Sequence, residues 1–261
     1  MNGAGRLTGK TALVTGGGGA IGGAIARLFA AEGAAVLVLD ERAEAAATVA
    51  AAIASAGGRA ESMVGDVAEE ATARIAVERA VAAFGGLHVL VNVAAAVTPD
   101  AAVESLALED WNRAFAVNLG GAFLMSKHTV PRLRAAGGGA IVNIASQLGR
   151  IGVPRRAAYC STKAAVIHFT TILAAEVARD GIRVNSISPG VIETPRTTRR
   201  FARPEDLRAA RGPLHMLGRV GQPDEVARAA LFLASDDASF TTATDLLVDG
   251  GYVYLKRQES S

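Results

Sequence analysis

In the run Tyr159-Cys160-Ser161-Thr162-Lys163 a phenol and an ammonium stand four residues apart, and a serine hydroxyl, Ser146, lies thirteen residues upstream. On a helix, positions i and i+4 share a face, so Tyr159 and Lys163 can point into one cleft. A free phenol titrates near 10 and is a poor base at neutral pH, but a close positive charge favours the phenolate, at roughly 1.4 kcal/mol for each unit of lowering. With Ser146 as hydrogen-bond donor, such a set can take the proton of an alcohol, or return it to a carbonyl oxygen, during hydride transfer. The plainer reading of Y-x-x-x-K is a half-buried anchor beside a solvated charge. Against it, only four of the 27 basic residues are lysines, and one falls here, downstream of a serine that ends an apolar run.

A hydride needs an acceptor. Thr15-Gly16-Gly17-Gly18-Gly19-Ala20-Ile21-Gly22 lies between a predicted strand and a predicted helix. Glycines there let the backbone turn tightly and let a pyrophosphate reach main-chain N–H groups at the positive end of the helix. Gly17, Gly19 and Gly22 spell the three-glycine fingerprint, Gly16 and Gly22 fit a longer spacing, and by itself the motif is also compatible with a simple turn. Asp40 supplies context: it ends the second predicted strand eighteen residues after Gly22, where a carboxylate accepts hydrogen bonds from an adenosine ribose and repels a 2′-phosphate. No lysine or arginine lies in the loop, so NAD is expected over NADP, with Arg42 able to soften the discrimination. The alternative is that Asp40 only caps the helix beginning at Glu41.

These groups must be carried by an alternation of short β-branched runs and longer alanine-rich stretches. Strands are predicted at 11–15, 35–39, 59–64, 87–91, 140–144, 183–187 and 245–248, and helices at 21–32, 41–56, 69–84, 108–135, 157–180 and 223–234. The pattern is that of an α/β fold, one doubly wound parallel sheet of seven strands with helices on both faces, in a single domain over 1–261. The segment 191–219 breaks it: Pro195, Pro204 and Pro213 interrupt any long period and six arginines lie between Arg196 and Arg211, which predicts an excursion above the sheet.

Composition narrows the function classes. The 261 residues are half hydrophobic and one fifth charged, with a net charge of +2 and the basic residues dispersed, so neither a nucleic-acid surface nor a polybasic membrane surface is expected. Cys160 is the only cysteine, residues 1–6 lack a signal-peptide hydrophobic region, and the uncharged stretches 11–26 and 135–149 are too short and glycine-rich to span a bilayer; a cytoplasmic protein is expected.

Taken in order, the motifs resemble the short-chain dehydrogenase/reductase family over 7–252. The loop resembles T-G-x-x-x-G-x-G; Asp66-Val67 resembles the acidic-aliphatic pair that holds the adenine; Leu90-Val91-Asn92-Val93-Ala94-Ala95 resembles the N-N-A-G segment beneath the cofactor. Asn118, Ser146, Tyr159 and Lys163 match the catalytic tetrad, and 185–194 resembles the segment whose backbone and threonine hold the nicotinamide carboxamide. Gly218-Arg219-Val220-Gly221 and Val248-Asp249-Gly250-Gly251 complete the series. The resemblance implies a Rossmann-type sheet in the order 3-2-1-4-5-6-7, a substrate lid at about 191–219 and a homotetramer. It assigns the cofactor to Gly16, Gly18, Gly19, Ala20, Ile21, Gly22, Asp40, Glu41, Asp66, Val67, Asn92, Val93, Ala94, Tyr159, Lys163, Pro189, Gly190, Ile192 and Thr194. It also implies roles: Tyr159 as base, Ser146 as donor to the carbonyl oxygen, Lys163 as charge beside Tyr159 and grip on the nicotinamide ribose, and Asn118 as holder of a relay water. Ala20, Val93, Ala95 and Ala243 depart from the family's residues, which predicts slightly tighter loops with binding retained.

The implied function is NAD-dependent oxidation of a secondary alcohol, such as a sugar, hydroxy acid or cyclic diol, to the ketone. An NADPH-dependent ketone or 3-oxoacyl reductase and a non-catalytic nucleotide sensor are the alternatives; the intact tetrad speaks against the sensor. His88, His128, His168 and His215 have no metal-ligand spacing, so no metal is expected, and Trp111 with Phe115 reads as helix packing. The run 164–175 is apolar on more than one helix face, which agrees with an oligomer interface. For substrate, the candidates are Ser146, Gln147, Arg150, Tyr159 and Arg196. The lid arginines read first as surface charge in an arginine-rich chain; the other reading is an anionic substrate, with Arg150 and Arg196 nearest the catalytic and nicotinamide segments.

Overall fold

The computed structural model describes residues 5–255. Strands β1 (Thr11–Thr15), β2 (Ala35–Asp40), β3 (Arg59–Val64), β4 (Val89–Asn92), β5 (Gly139–Ile144), β6 (Ile182–Pro189) and β7 (Asp245–Val248) form one parallel sheet in the order 3-2-1-4-5-6-7. Every residue of β1, β2 and β4 is buried, which is why these strands read as unbroken apolar runs instead of alternating ones. β3 lies at the sheet edge and is only partly covered, in keeping with Arg59 and Glu61 in its sequence.

Successive side chains of each strand feed opposite layers. Ala12, Val14, Val36 and Val38 pack with Ile25 and Phe29 of α1 (Ala20–Ala31), Val49 and Ile53 of α2 (Ala43–Ser55), and Val226 and Leu231 of α9 (Pro223–Ala234). Leu13, Leu37, Leu39 and Leu90 face the other way. They meet Ala76 and Val77 of α3 (Glu70–Phe84), Met125 and Leu133 of α5 (Gly121–Ala135), and Leu173 and Val177 of α6 (Ala157–Val177). None of the described helices is long and apolar enough to cross a membrane.

Two predicted stretches differ in detail. The helix expected over 108–135 is a rod of two helices, α4 (Leu108–Phe115) and α5, joined by a π-helical turn, Ala116–Gly120, that carries Asn118. The wider turn re-aims one side chain without ending the rod. The excursion above the sheet holds two short helices, α7 (Pro195–Thr198) and α8 (Pro204–Arg211), each opened by a proline whose missing N–H costs nothing in a first turn. β4 starts two residues later than expected. His88, just before it, accepts the Thr11 N–H on Nδ1 at 3.0 Å, so this histidine serves the sheet.

Ala243 stands where the family uses glycine, and its φ is +60°, a left-handed conformation that a Cβ disfavours by roughly 1–2 kcal/mol. It is held there by the Ala243 N–H, which donates to Val184 O at 2.8 Å as the chain turns into β7. Ala243→Gly relieves the strain but loosens the unfolded chain, for a net gain of about 0.5–1 kcal/mol. The melting temperature measured by calorimetry is expected to rise by about 1–4 °C; an unchanged or lower value would remove the strain from this turn.

Candidate active site

Strand order reverses between β1 and β4, and the connections leave these neighbours on opposite sides, opening a crevice beyond their carboxyl ends. The glycine loop lines one wall. A Cβ on Gly16, whose φ is +60°, would stand 2.9 Å from the Ala94 backbone, and one on Gly22 would stand 2.2 Å from Gly16 O. A Cβ on Gly18 would come within 2.6 Å of the Ala45 Cβ. Larger residues would push the loop off β4 and off α1. Ala20 and Ile21 begin α1, and Gly19 before them offers no side chain to cap it. The first-turn N–H groups therefore remain for an anion at the positive end of the helix, which fits the pyrophosphate of a dinucleotide.

Asp40 is buried at the end of β2, and its two oxygens accept the Gly18 N–H and the Arg42 N–H, each at 3.0 Å. The Arg42 Nε lies 3.3 Å from the same carboxylate, with most of its side chain in solvent. Asp40 thus orders both the loop and the entry to α2 as well as placing negative charge at the crevice. Glu41 is exposed and lies 3.8 Å from Arg113, whose other end donates to Asp66 at 2.7 Å. Burial raises the Asp66 carboxyl, but the Ala68 N–H and the Arg113 guanidinium outweigh it and hold it below the usual carboxylate range. Val67 beside it is buried against Gly121, where a Cβ would meet Val67 at 2.6 Å.

The floor of the crevice is built from polar groups that pass through the core. Thr15 Oγ1 accepts the Val93 N–H at 3.0 Å and the Ala94 N–H at 3.3 Å, tying the end of β1 to the loop after β4. Asn92 Nδ2 donates to Asn143 Oδ1, and Asn143 Nδ2 donates to Thr170 Oγ1 on α6, both at 2.9 Å. Asn92 Oδ1 is buried without a partner among the described residues and lines a small cavity with Thr15, Ala94 and Asn118. Val93, in place of a second asparagine, packs on the core through its side chain, and its main chain makes the link.

Tyr159 and Lys163 lie on α6, and the tyrosine ring is half-buried among three cations: Arg156 Cζ at 5.2 Å, Lys163 Nζ at 5.8 Å and Arg196 Cζ at 5.9 Å from its centre. Lys163 is 2% exposed and its Nζ donates to Ile144 O at 2.7 Å. Loss of hydration, with repulsion from Arg196, lowers it from 10.5 to about 7. Ser146 follows β5; its Oγ accepts the Leu148 N–H at 3.1 Å, which keeps its O–H available as a donor. The turn at 147–149 presses on α6 so closely that a Cβ on Gly149 would stand 2.7 Å from Lys163 C, and this contact sets Ser146 against the tyrosine's helix. Gln147 is buried with its Oε1 unpartnered among the described residues.

Asn118 Oδ1 accepts the Ala96 N–H at 2.8 Å and its Nδ2 donates to Thr162 Oγ1 at 2.9 Å, which in turn donates to Tyr159 O at 2.9 Å. Its amide thus joins the loop after β4 to the catalytic helix. Pro189 ends β6 and Gly190 follows it; a Cβ on Gly190 would stand 2.8 Å from Asp249 Cα. Ile192 is buried beside Gly221, and Thr194 caps α7 reciprocally with Thr197. His215, set aside in the sequence, holds this segment. Its Nε2 accepts the Val191 N–H at 3.2 Å, so the ring proton sits on Nδ1, 2.9 Å from Arg211 O. Arg113 was likewise not singled out, since an isolated arginine carries no spacing signal; Thr15 and Thr162 stood inside the quoted motifs with no role of their own.

The substrate candidates separate. Arg150, expected near the substrate, pairs with the buried Asp245, with Nε 2.5 Å from its carboxylate and Nη2 3.2 Å from its carbonyl. Of the lid arginines, Arg200 pairs with Asp100, Arg203 with Asp206 and Arg208 with Glu193. Arg196 alone among the lid arginines reaches the Tyr159 ring.

A family model described as enoyl-(acyl carrier protein) reductase matches residues 18–253. The chain is 42% identical over 247 residues to D-threitol dehydrogenase of Mycolicibacterium smegmatis, covering 95% of this chain and 94% of that protein. It is 42% identical over 247 residues to cyclohexanol dehydrogenase of an Acinetobacter species, covering 95% and 96%. It is also 42% identical over 243 residues to cis-4-hydroxycyclohexanecarboxylate dehydrogenase of Sinomonas cyclohexanicum, covering 93% and 96%. With the parallel sheet, the glycine loop and the Ser146, Tyr159 and Lys163 arrangement in place, the chain belongs to the short-chain dehydrogenase/reductase family.

Proposed function

We propose that the protein is an NAD-dependent dehydrogenase that oxidises a secondary alcohol, of cyclic or polyol type, to the ketone. The observation that carries this reading is the half-buried Tyr159 among cations, with the Ser146 hydroxyl presented from the neighbouring strand end. The relatives named above as dehydrogenases of threitol, cyclohexanol and a hydroxycyclohexanecarboxylate support the substrate class.

In this reading Tyr159 takes the hydroxyl proton, and the positive charges beside its ring stabilise the negative charge that builds on the phenol oxygen. Ser146 donates its O–H to the substrate oxygen as it becomes a carbonyl. Lys163 holds its ammonium behind Tyr159 through Ile144 O, and Asn118 sets the helix position of Tyr159 through Thr162. The nicotinamide, when bound, supplies the hydride acceptor. Gly16, Gly18, Gly19, Ala20, Ile21 and Gly22 would cradle the dinucleotide's pyrophosphate, Asp40 and Glu41 would hold the adenosine ribose, and Asp66 and Val67 the adenine. Asn92, Val93 and Ala94 would form the floor, with Pro189, Gly190, Ile192 and Thr194 beside the nicotinamide.

The Asp40 carboxylate favours NAD, because a 2′-phosphate would meet negative charge there. Arg42, 3.3 Å from that carboxylate, is the feature that favours the NADP-linked alternative. A homotetramer is part of the proposal: Phe123 on α5 and Ile172 on α6 are 48% and 46% exposed, and Phe123 meets Phe169 edge-on at 6.4 Å. They form one apolar face across two helices of the kind that oligomers cover. A cytoplasmic setting agrees with the single cysteine.

Four outcomes are expected. In NAD-linked assays across cyclohexanol, threitol and hydroxy acids, the wild type oxidises at least one of them. Tyr159→Phe reduces kcat by about three orders of magnitude, the scale of losing a general base and its hydrogen bond, with Kd for NAD unchanged within a few-fold; full activity in that variant would sink the assigned base. The kcat/KM ratio favours NAD over NADP by at least about 100-fold, a differential of roughly 2.7 kcal/mol, and Asp40→Ala narrows it; equal use of both by the wild type would defeat the role given to Asp40. Light scattering at micromolar concentration gives four times the chain mass, and Phe123→Glu with Ile172→Glu reduces it; a wild-type monomer would remove the assembly.

A further inference from the structure

Arg196 enters the crevice from the first turn of α7, a turn fixed by the reciprocal Thr194 and Thr197 cap. Its guanidinium lies 5.9 Å from the centre of the Tyr159 ring. Nη2 donates to Ala96 O at 2.9 Å and Nη1 to Ala95 O at 3.4 Å, so two of the five N–H donors are used and both acceptors are neutral. No carboxylate among the described residues forms an ion pair with it, whereas Arg150, Arg156, Arg200, Arg203 and Arg208 each have one. Burial lowers this guanidinium; the Tyr159 phenol pulls it back up, and Arg156, Arg199 and Arg200 push it down again.

A charge count around the tyrosine points outward. Arg156 shares the one Asp100 carboxylate with Arg200, and neither Lys163 nor Arg196 has a carboxylate partner among the described residues. A deprotonated Tyr159 supplies one negative charge against these two cations, leaving one positive charge in a partly desolvated site, where an unmatched ion is expensive. The remaining N–H donors of Arg196 form a planar fork suited to a carboxylate.

We propose that Arg196 binds an anionic group of the substrate, a carboxylate, and so holds a hydroxy acid with its secondary alcohol at Ser146 and Tyr159. This rests on the dehydrogenase reading above and adds the substrate's charge to it. The two Ala carbonyls fix the guanidinium plane before the ligand arrives, which lowers the ordering cost of binding.

The test compares cis-4-hydroxycyclohexanecarboxylate with cyclohexanol in wild type, Arg196→Met and Arg196→Lys. The wild-type kcat/KM favours the carboxylated alcohol by at least about ten-fold. In Arg196→Met that preference falls at least ten-fold, mainly through KM, and Arg196→Lys restores part of it. A wild-type preference for cyclohexanol, or an equal loss on both alcohols in Arg196→Met, overturns the proposal; the equal loss would assign Arg196 to the tyrosine's charge instead. A second readout needs no turnover: calorimetric titration of the NAD complex with cyclohexanecarboxylate shows binding that weakens at least ten-fold in Arg196→Met. Absent or unaltered binding overturns the anion site, whereas binding without oxidation of either alcohol upholds the site and defeats only the dehydrogenase reading.

Discussion

The hydrogen bond from Lys163 Nζ to Ile144 O holds an ammonium that is almost wholly removed from water, and the neighbouring elements keep a charge where charge is costly. Loss of hydration and repulsion from Arg196 lower it far below the usual lysine range, to about 7. What faces Lys163 therefore decides its charge. A phenolate favours the ammonium, and Arg196 opposes it. The end of β5, which carries Ile144 and then Ser146, and the first turns of α6, which carry Tyr159 and Lys163, must meet in one place for this balance to hold. The close approach at Gly149 is what allows them to meet.

That meeting point is braced by polar groups sent through the core. Thr15 joins β1 to the loop after β4, Asn92 joins β4 to β5, Asn143 joins β5 to α6, and Asn118 joins the π-helical turn to α6. Each is a buried group whose partner comes from a different element, so loss of one leaves an unpaired donor or acceptor, at about 1–3 kcal/mol. An apolar core would tolerate small slides between strand and helix. These pairs fix register, and the positions of Tyr159 and Lys163 inherit that precision.

The strands were legible in the sequence because central parallel strands are apolar on both faces, as Ala35 to Leu39 shows, and the turns because glycines must stand where a Cβ would strike the backbone, as at Gly22. The Tyr159 and Lys163 pairing was legible because a helix converts a spacing of four into one face. Asn118 was placed on a helix, but the π-helical turn that aims it was not, since one added residue per turn leaves no mark in hydrophobic periodicity. His215 was invisible for a different reason: it lies twenty-four residues from the Val191 N–H it accepts, and only the fold brings them together. Arg150 stood out because it is close in sequence to Ser146; its pairing with Asp245, ninety-five residues away, left no mark in the sequence.

The same distinction separates the lid arginines. Composition explains why so many are present, and local acids explain where three of the six rest: Asp206 takes Arg203, Glu193 takes Arg208, and Asp100 takes Arg200 together with Arg156 outside the lid. Asp100 follows the same loop after β4 whose Ala95 and Ala96 carbonyls receive Arg196. One loop therefore neutralises the outer arginines with a carboxylate and gives the inner one only neutral oxygens. A carboxylate at the inner position would have cancelled the positive potential beside Tyr159, whereas carbonyls orient the guanidinium and leave its charge in place. The arrangement keeps Arg196 in the crevice without a carboxylate, while Arg200, Arg203 and Arg208 around it rest on acids.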